Sequence, residues 1–118
     1  MCARHPRCGS QSNMTFVNLG LAGEARRTPD LPLYTLRCVA TNQVIRTTDP
    51  GRALVTGRCR DIAAFKLPTL RGLAARPPYF HNGSAATLDD AVSFYDRRFG
   101  IGFTAYERAD LLAFLRSL

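Results

Sequence analysis

The chain has 118 residues, 46% of them hydrophobic and 21% charged, enough for one domain with a small core and too apolar for wholesale disorder. Its formal charge is +7, carried almost wholly by arginine, with Lys66 the single lysine. Such a surface favours anionic partners, but the arginines are scattered rather than striped, and neither zinc-finger spacing nor an RNA-binding strand is present, so nucleic acid is excluded as an expected partner. No run of about eighteen apolar residues exists, so no membrane span is expected.

The N-terminus, MCARHPRCGS, is basic but has no hydrophobic segment behind it. It is therefore not read as a secretory signal, and the chain as written is expected to stay in the cytoplasm unless sequence beyond it supplies an export signal. Cys2, His5 and Cys8 place three potential zinc ligands within seven residues. Structural zinc takes four, and the plainer reading is a frayed terminus. The four cysteines (Cys2, Cys8, Cys38, Cys59) stay thiols in a reducing cytosol and can pair in three ways in an oxidising compartment. Cys38 and Cys59 have apolar neighbours (Leu36, Val39, Val55) and read as small core residues.

Met14 to Leu21 reads as a short strand or extended segment, and Gly23 to Pro32 as a polar linker with a turn at Thr28-Pro29-Asp30. Leu33 to Ile45 has the composition of one or two short extended runs broken near Thr41-Asn42. Thr48-Asp49-Pro50-Gly51 is a turn signal, with Asp49 as cap and Pro50 as first residue of a helix over Arg52 to Thr56.

The second half is helical in pattern. Pro68 starts a short helix through Ala75, which Pro77-Pro78 stops. Asn82-Gly83 is a turn. Thr87 and Asp90 make a capping pattern ahead of Leu88, Ala91, Val92 and Tyr95, spaced as one helical face. Arg97 and Arg98 fall near its C-terminus, where positive charge is favoured. Thr104 and Glu107 open a last helix striped by Leu111, Leu112, Leu115 and Leu118, with Phe114 at the edge.

Four blocks in order carry a family resemblance: Phe65-Lys66-Leu67-Pro68-Thr69-Leu70-Arg71, Pro78-Tyr79-Phe80-His81-Asn82-Gly83, Ala91-Val92-Ser93-Phe94-Tyr95 and Asp110-Leu111-Leu112-Ala113-Phe114-Leu115. With Asp49-Pro50-Gly51-Arg52 ahead of them they cover roughly the last seventy residues. This order resembles the C-terminal haem domain of the bacterial di-haem cytochrome c peroxidase family, including its tyrosine-ligated methylamine-dehydrogenase-maturation relatives. The Cys-x-x-Cys-His motif that attaches haem in that family does not occur in these 118 residues.

The resemblance implies a mainly α fold: the C-terminal part of a cytochrome c-like haem domain, with long irregular segments and short extended strands in the N-terminal half. It divides the chain into a disordered or garbled segment, 1–30, and a partial cytochrome c-like domain, 31–118. It implies haem c as cofactor, electron transfer as role, an electron-donor protein or upstream haem domain as partner, and a periplasmic location. It also implies a fragment or truncated member: the tail of a longer protein, a chain with a garbled start, or a decayed paralogue. Peroxidase activity of this chain alone is not expected, and no catalytic residue is assigned.

By the same resemblance Tyr95 stands where the family places the residue facing the distal side of the iron, and is the expected metal ligand. A phenolate is a hard, anionic donor that favours ferric iron. The plainer reading is that Tyr95 completes the apolar stripe of its helix. His81 matches a histidine near the haem, in a hydrogen-bonding rather than proximal role, or else is a corner histidine held by backbone carbonyls. Arg71, and Lys66 with it, would pair with haem propionates or stand as solvated charges. Phe65, Leu70, Pro78, Tyr79 and Phe80 would wall the pocket or simply form core. The alternative function is a cofactor-free, small basic protein-interaction module derived from that fold. Hydrolase chemistry finds no support, because Ser84 near His81 is a turn residue with no nucleophile-elbow motif around it.

Overall fold

In the computed structural model, which describes residues 15–118, the chain divides into two units, one running to Pro68 and the other spanning Thr69–Leu118. Cys2, His5 and Cys8, with the zinc reading placed on them, lie outside the described residues, as does Met14.

The first unit is built from two short antiparallel ladders. Strand β1 (Phe16–Val17) pairs with β4 (Phe65–Lys66) in the register Phe16↔Lys66 and Val17↔Phe65. Strands β2 (Tyr34–Arg37) and β3 (Val44–Thr47) form a hairpin in the register Tyr34↔Thr47 through Arg37↔Val44. The break expected near Thr41-Asn42 is its turn. Asn42 sits at φ 56°, a left-handed conformation that asparagine tolerates. Its amide donates to the Cys38 carbonyl (2.7 Å), and the Cys38 amide donates to Gln43 (2.9 Å). Thr47 is fully buried, and its hydroxyl stands 2.9 Å from both the Ala22 and the Asp49 carbonyl oxygens, which share its one proton.

Helix α1 is one turn, Ala53–Thr56, ended by Gly57 in the left-handed region. Asp49 does not cap it. Its Oδ1 accepts from the Gly51 amide (2.8 Å), closing an Asx turn two residues upstream. Gly51 is required there: its φ is +60°, and a Cβ would lie 2.6 Å from the Ala64 carbonyl oxygen. That close approach lets the Arg52 amide donate to Ala64 (2.9 Å).

Cys38, Ala22, Ile62 and Ala63 form the buried core of this unit, flanked by Leu36, Ile45, Ala53 and Phe65. Of the two cysteines read as small core residues, Cys38 is buried and Cys59 is exposed, and the pairing left open by the sequence is decided here. Cys38 is joined to Cys59 in a disulfide that spans 21 residues, with the Cα atoms 5.7 Å apart. Apolar neighbours in sequence reported the burial of Cys38 but could not report a partner that the fold brings across the unit.

The second unit is a helix pair on an irregular base. Helix α2 (Leu88–Phe99) opens on a capping box: Thr87 Oγ1 accepts from the Asp90 amide (3.1 Å), and Asp90 Oδ2 accepts from the Thr87 amide (3.0 Å). Helix α3 (Ala105–Arg116) repeats the device with Thr104 and Glu107. Between them Gly100 is left-handed, and Asp96 Oδ1 accepts from the amides of Gly102 (2.7 Å) and Phe103 (3.3 Å). Leu88, Val92 and Leu112 are buried at the helix contact, with Leu73, Tyr79, Phe103, Leu111 and Leu115 packed around them. Each such fully buried apolar side chain contributes about 1.5–3 kcal/mol. Leu118 and Phe114 remain exposed.

The helix expected from Pro68 to Ala75 does not form. Gly72 adopts φ 65° and donates its amide to the Leu118 carbonyl (2.7 Å), so only a 3₁₀ turn, Leu73–Ala75, follows it. The expectation of a mainly α, cytochrome c-like fold is therefore corrected. Among the described residues there are three α-helices, one of them a single turn, with three 3₁₀ turns and four strands in two antiparallel sheets. The architecture is mixed. The reason is physical: before Thr69 the backbone satisfies itself by pairing strands, and only α2 and α3 carry the capping and apolar spacing that sustain a helix.

Candidate functional site

The site is built on one corner and one helix of the second unit. After a cis Pro77–Pro78 bond the chain turns through Tyr79, Phe80 and His81. The Tyr79 and Ala85 backbones bridge across the turn, with the Tyr79 amide donating to Ala85 at 2.7 Å. Ser84 donates its amide to Asn82 Oδ1 (3.1 Å), and Gly83 takes φ 66°, as the Asn-Gly pair led one to expect.

Phe80 is held at φ 68°, a conformation that costs an L-residue about 1–2 kcal/mol. Its ring meets Phe94 edge-on at 4.9 Å between centroids and Tyr95 at 5.9 Å. Phe94 and Tyr95 are also edge to face (5.6 Å), and Tyr95 stacks on Phe99 (6.1 Å, 10° between planes). Such pairs contribute about 0.5–1.5 kcal/mol each beyond their burial, enough to hold Phe80 in its unfavourable backbone state. Tyr95 is half-buried in this cluster, and burial pushes its phenol above the ordinary value of 10.0.

The other expected residues are spread more widely. Tyr79 belongs to the helix-pair core, and its hydroxyl donates to the Leu73 carbonyl at 3.1 Å. His81 is exposed beside Phe80. Leu70 and Arg71 are exposed on the segment before the 3₁₀ turn, where the Arg71 amide donates to Thr69 Oγ1 (3.2 Å). Phe65 and Lys66 lie on β4 in the first unit, Phe65 against that unit's core and Lys66 exposed. The structure thus brings Phe80 and Tyr95 into one cluster. Reasoning from the stripe missed Phe94 and Phe99. Phe99 stands four residues after Tyr95, a spacing that puts two rings on one helical face. That signal was readable in the sequence.

A haem-type group can be tested against these residues. Tyr95 offers one oxygen donor, walled by three phenylalanine rings, which suits one face of a flat apolar macrocycle. The rest of an iron site is not supplied by the described residues: both described cysteines are consumed by the disulfide, and no group of three or more His, Cys, Asp or Glu side chains stands together. The cluster fits one wall of such a site and not a self-contained metal centre.

No protein-family profile matches the chain. Similarity to individual proteins is clear. Cytochrome-c peroxidase IdrP1 of Denitromonas iodatirespirans is 37% identical over 81 residues, 59% of this chain and 22% of the relative. Cytochrome c551 peroxidase of Nitrosomonas europaea is 44% identical over 69 residues, 58% of this chain and 21% of the relative. Cytochrome-c peroxidase IdrP2 of Denitromonas iodatirespirans is 33% identical over 106 residues, 80% of this chain and 29% of the relative. The chain therefore spans less than a third of the length of these curated relatives. They are cytochrome c peroxidases, and their similarity over part of the chain supports an origin in the cytochrome c peroxidase family.

Proposed function

We propose that this chain is a haem-facing, electron-transferring C-terminal segment of a cytochrome c peroxidase-like oxidoreductase, with Tyr95 as the residue that meets the iron. The observation that carries the reading is the seating of Tyr95: an oxygen donor among Phe80, Phe94 and Phe99, at the position where the resemblance expects an axial ligand. Haem c, when bound, supplies the redox-active iron; the chain's own residues supply burial, orientation and a donor atom. Phe80 would wall that face. His81, beside Phe80 in sequence, would hydrogen-bond at its edge, and the exposed Arg71 guanidinium would meet a propionate. Leu70 would add apolar surroundings from its exposed place in the same unit, whereas Tyr79 belongs to the helix-pair core and Phe65 to the core of the first unit. The proximal ligand and thioether links would come from sequence other than the described residues, and the partner would be an electron-donor protein or an upstream haem domain. The Cys38–Cys59 disulfide supports an oxidising compartment such as the periplasm.

A haem titration of the purified chain tests this. The expected result is a saturating one-to-one Soret change with a raised melting temperature, both weakened in Tyr95→Phe. A spectrum equal to that of free haem, with an unchanged melt, would overturn it.

One observation favours the second reading, a cofactor-free basic interaction module. Among the described residues the first unit carries eight basic side chains against four acidic, and the second six against five. An acidic partner would be drawn to the first unit, with affinity falling steeply as salt rises.

A further inference from the structure

The disulfide of the first unit is asymmetric. Cys38 is 1% exposed and sits among Ala22, Ile62 and Ala63. Cys59 opens a 3₁₀ turn and is exposed. It is flanked in sequence by Arg58 and Arg60, both exposed. It also lines a cleft of about 270 Å³ with Asn18, Arg46, Thr47 and Arg60. Arg46 is paired with Glu24 at 2.9 Å, whereas neither Arg58 nor Arg60 is in an ion pair among the described residues, so these two carry the local positive charge and Arg60 brings it to the cleft.

We propose that Cys59 is a thiol-exchange site that takes small anionic thiols, and that its opening unlocks the first unit. Thiol–disulfide exchange needs a thiolate to approach one sulfur along the S–S axis. Burial closes Cys38 to that approach, so the attack falls on Cys59. A small thiol gives its proton to water. Its thiolate bonds to the Cys59 sulfur, the S–S bond breaks, and the pair of electrons leaves with the Cys38 sulfur, which takes up a proton from solvent. The product is a mixed disulfide on Cys59 and a free thiol at Cys38. A second equivalent of thiol releases Cys59 and completes the reduction, the two small thiols leaving as their own disulfide. The arginines around Cys59 favour a carboxylate-bearing thiol over an aminothiol.

Opening matters because the core it staples is weak. Of the four buried residues in that core two are alanines and one is Cys38 itself, which leaves Ile62 as the one large side chain among them. Closing a loop of 21 residues shifts the folded-to-open ratio by roughly two orders of magnitude in the chain-entropy account. Such a gain is of the size small units rely on when apolar burial falls short. The second unit contains no cysteine and has no such dependence.

The test uses the full chain with Cys2→Ser and Cys8→Ser, so that only Cys38 and Cys59 react. It is exposed to 3-mercaptopropionate or to cysteamine, and the adducts are mapped by mass. The expected adduct is on Cys59, and the rate per thiolate is roughly three- to tenfold higher for the anionic thiol at low salt. Arg60→Ala is expected to shrink that preference. After full reduction by a dithiol, confirmed by thiol count, amide-exchange protection over residues 34–47 should fall by about two orders of magnitude, with α2 and α3 unchanged. An adduct on Cys38, equal rates for the two thiols, absence of the disulfide in the purified chain, or unchanged protection after reduction would each overturn the proposal.

Discussion

Tyr95 carries the argument at the scale of single residues. Desolvation raises its phenol above the ordinary 10.0, so the folded chain prefers the neutral form. The stabilisation is fully present below pH 10 and is lost as pH rises through the higher folded value, because the unfolded tyrosine ionises first. An alkaline absorbance titration should therefore contain a component above 10 that Tyr95→Phe removes. A cation at the hydroxyl would reverse the preference by favouring the phenolate. Gly51 is the second such residue. With φ +60° and the Ala64 carbonyl oxygen 2.6 Å from a hypothetical Cβ, Gly51→Ala should cost roughly 1–3 kcal/mol, read as a lowered melting temperature. The Asp-Pro-Gly-Arg block pointed to a turn here, since turn chemistry is local. The cramped approach to Ala64 was not legible, because it is set by a contact thirteen residues away. Phe94 drew no reading of its own for a related reason: helical spacing left it off the stripe, and one ring packed on it comes from Phe80, at a backbone angle that no propensity favours.

Among the elements, α2 and α3 were readable because each begins with a reciprocal cap whose partners stand three residues apart. Thr87→Ala should lower stability by about 1 kcal/mol, seen as an earlier thermal transition of the second unit's helical signal. The two helices are also clamped. Arg108 donates Nε to Asp89 Oδ1 (3.0 Å) and Nη2 to Asp89 Oδ2 (2.8 Å) and to the Asp89 carbonyl (3.0 Å), and also contacts Ser93 Oγ. The Arg108 hydrogen bonds hold the Asp89 carboxyl below its ordinary 3.8. A depressed acid stabilises the fold above its unfolded value, and the effect disappears as pH falls through the lower folded value. In a carboxyl NMR titration, Asp89 should titrate below 3.8 and move upward in Arg108→Ala. Nothing in the sequence singled out this pair, since nineteen residues separate the partners. The hairpin of β2 and β3 was legible from β-rich runs around Asn42. The ladder of β1 with β4 was not, because it joins segments about fifty residues apart. The false helix at Pro68 shows the converse: its start signal was sound, but the left-handed Gly72 ended the run before one α-turn closed.

For the whole molecule, the relatives and the architecture speak to different questions. Identities of 33–44% with cytochrome c peroxidases support the origin, while the mixed, two-unit structure departs from the mainly α fold that the resemblance implied. The reason lies in where the matching motifs fall. Blocks such as Pro78-Tyr79-Phe80-His81-Asn82-Gly83 specify a corner and its helix, and these form; they do not specify how the first 68 residues pair. Among the described residues no helix is long and apolar enough to cross a membrane. The proposed role stands on one donor atom. The most direct measurement is therefore the ligand identity of ferric haem added to the full chain, read by resonance Raman. The expected result is a set of tyrosinate modes, enhanced through an iron–phenolate band, that vanish in Tyr95→Phe while Tyr79→Phe retains them. Bound haem with no phenolate signature, or with one that survives Tyr95→Phe, would contradict the assignment of Tyr95 to the iron.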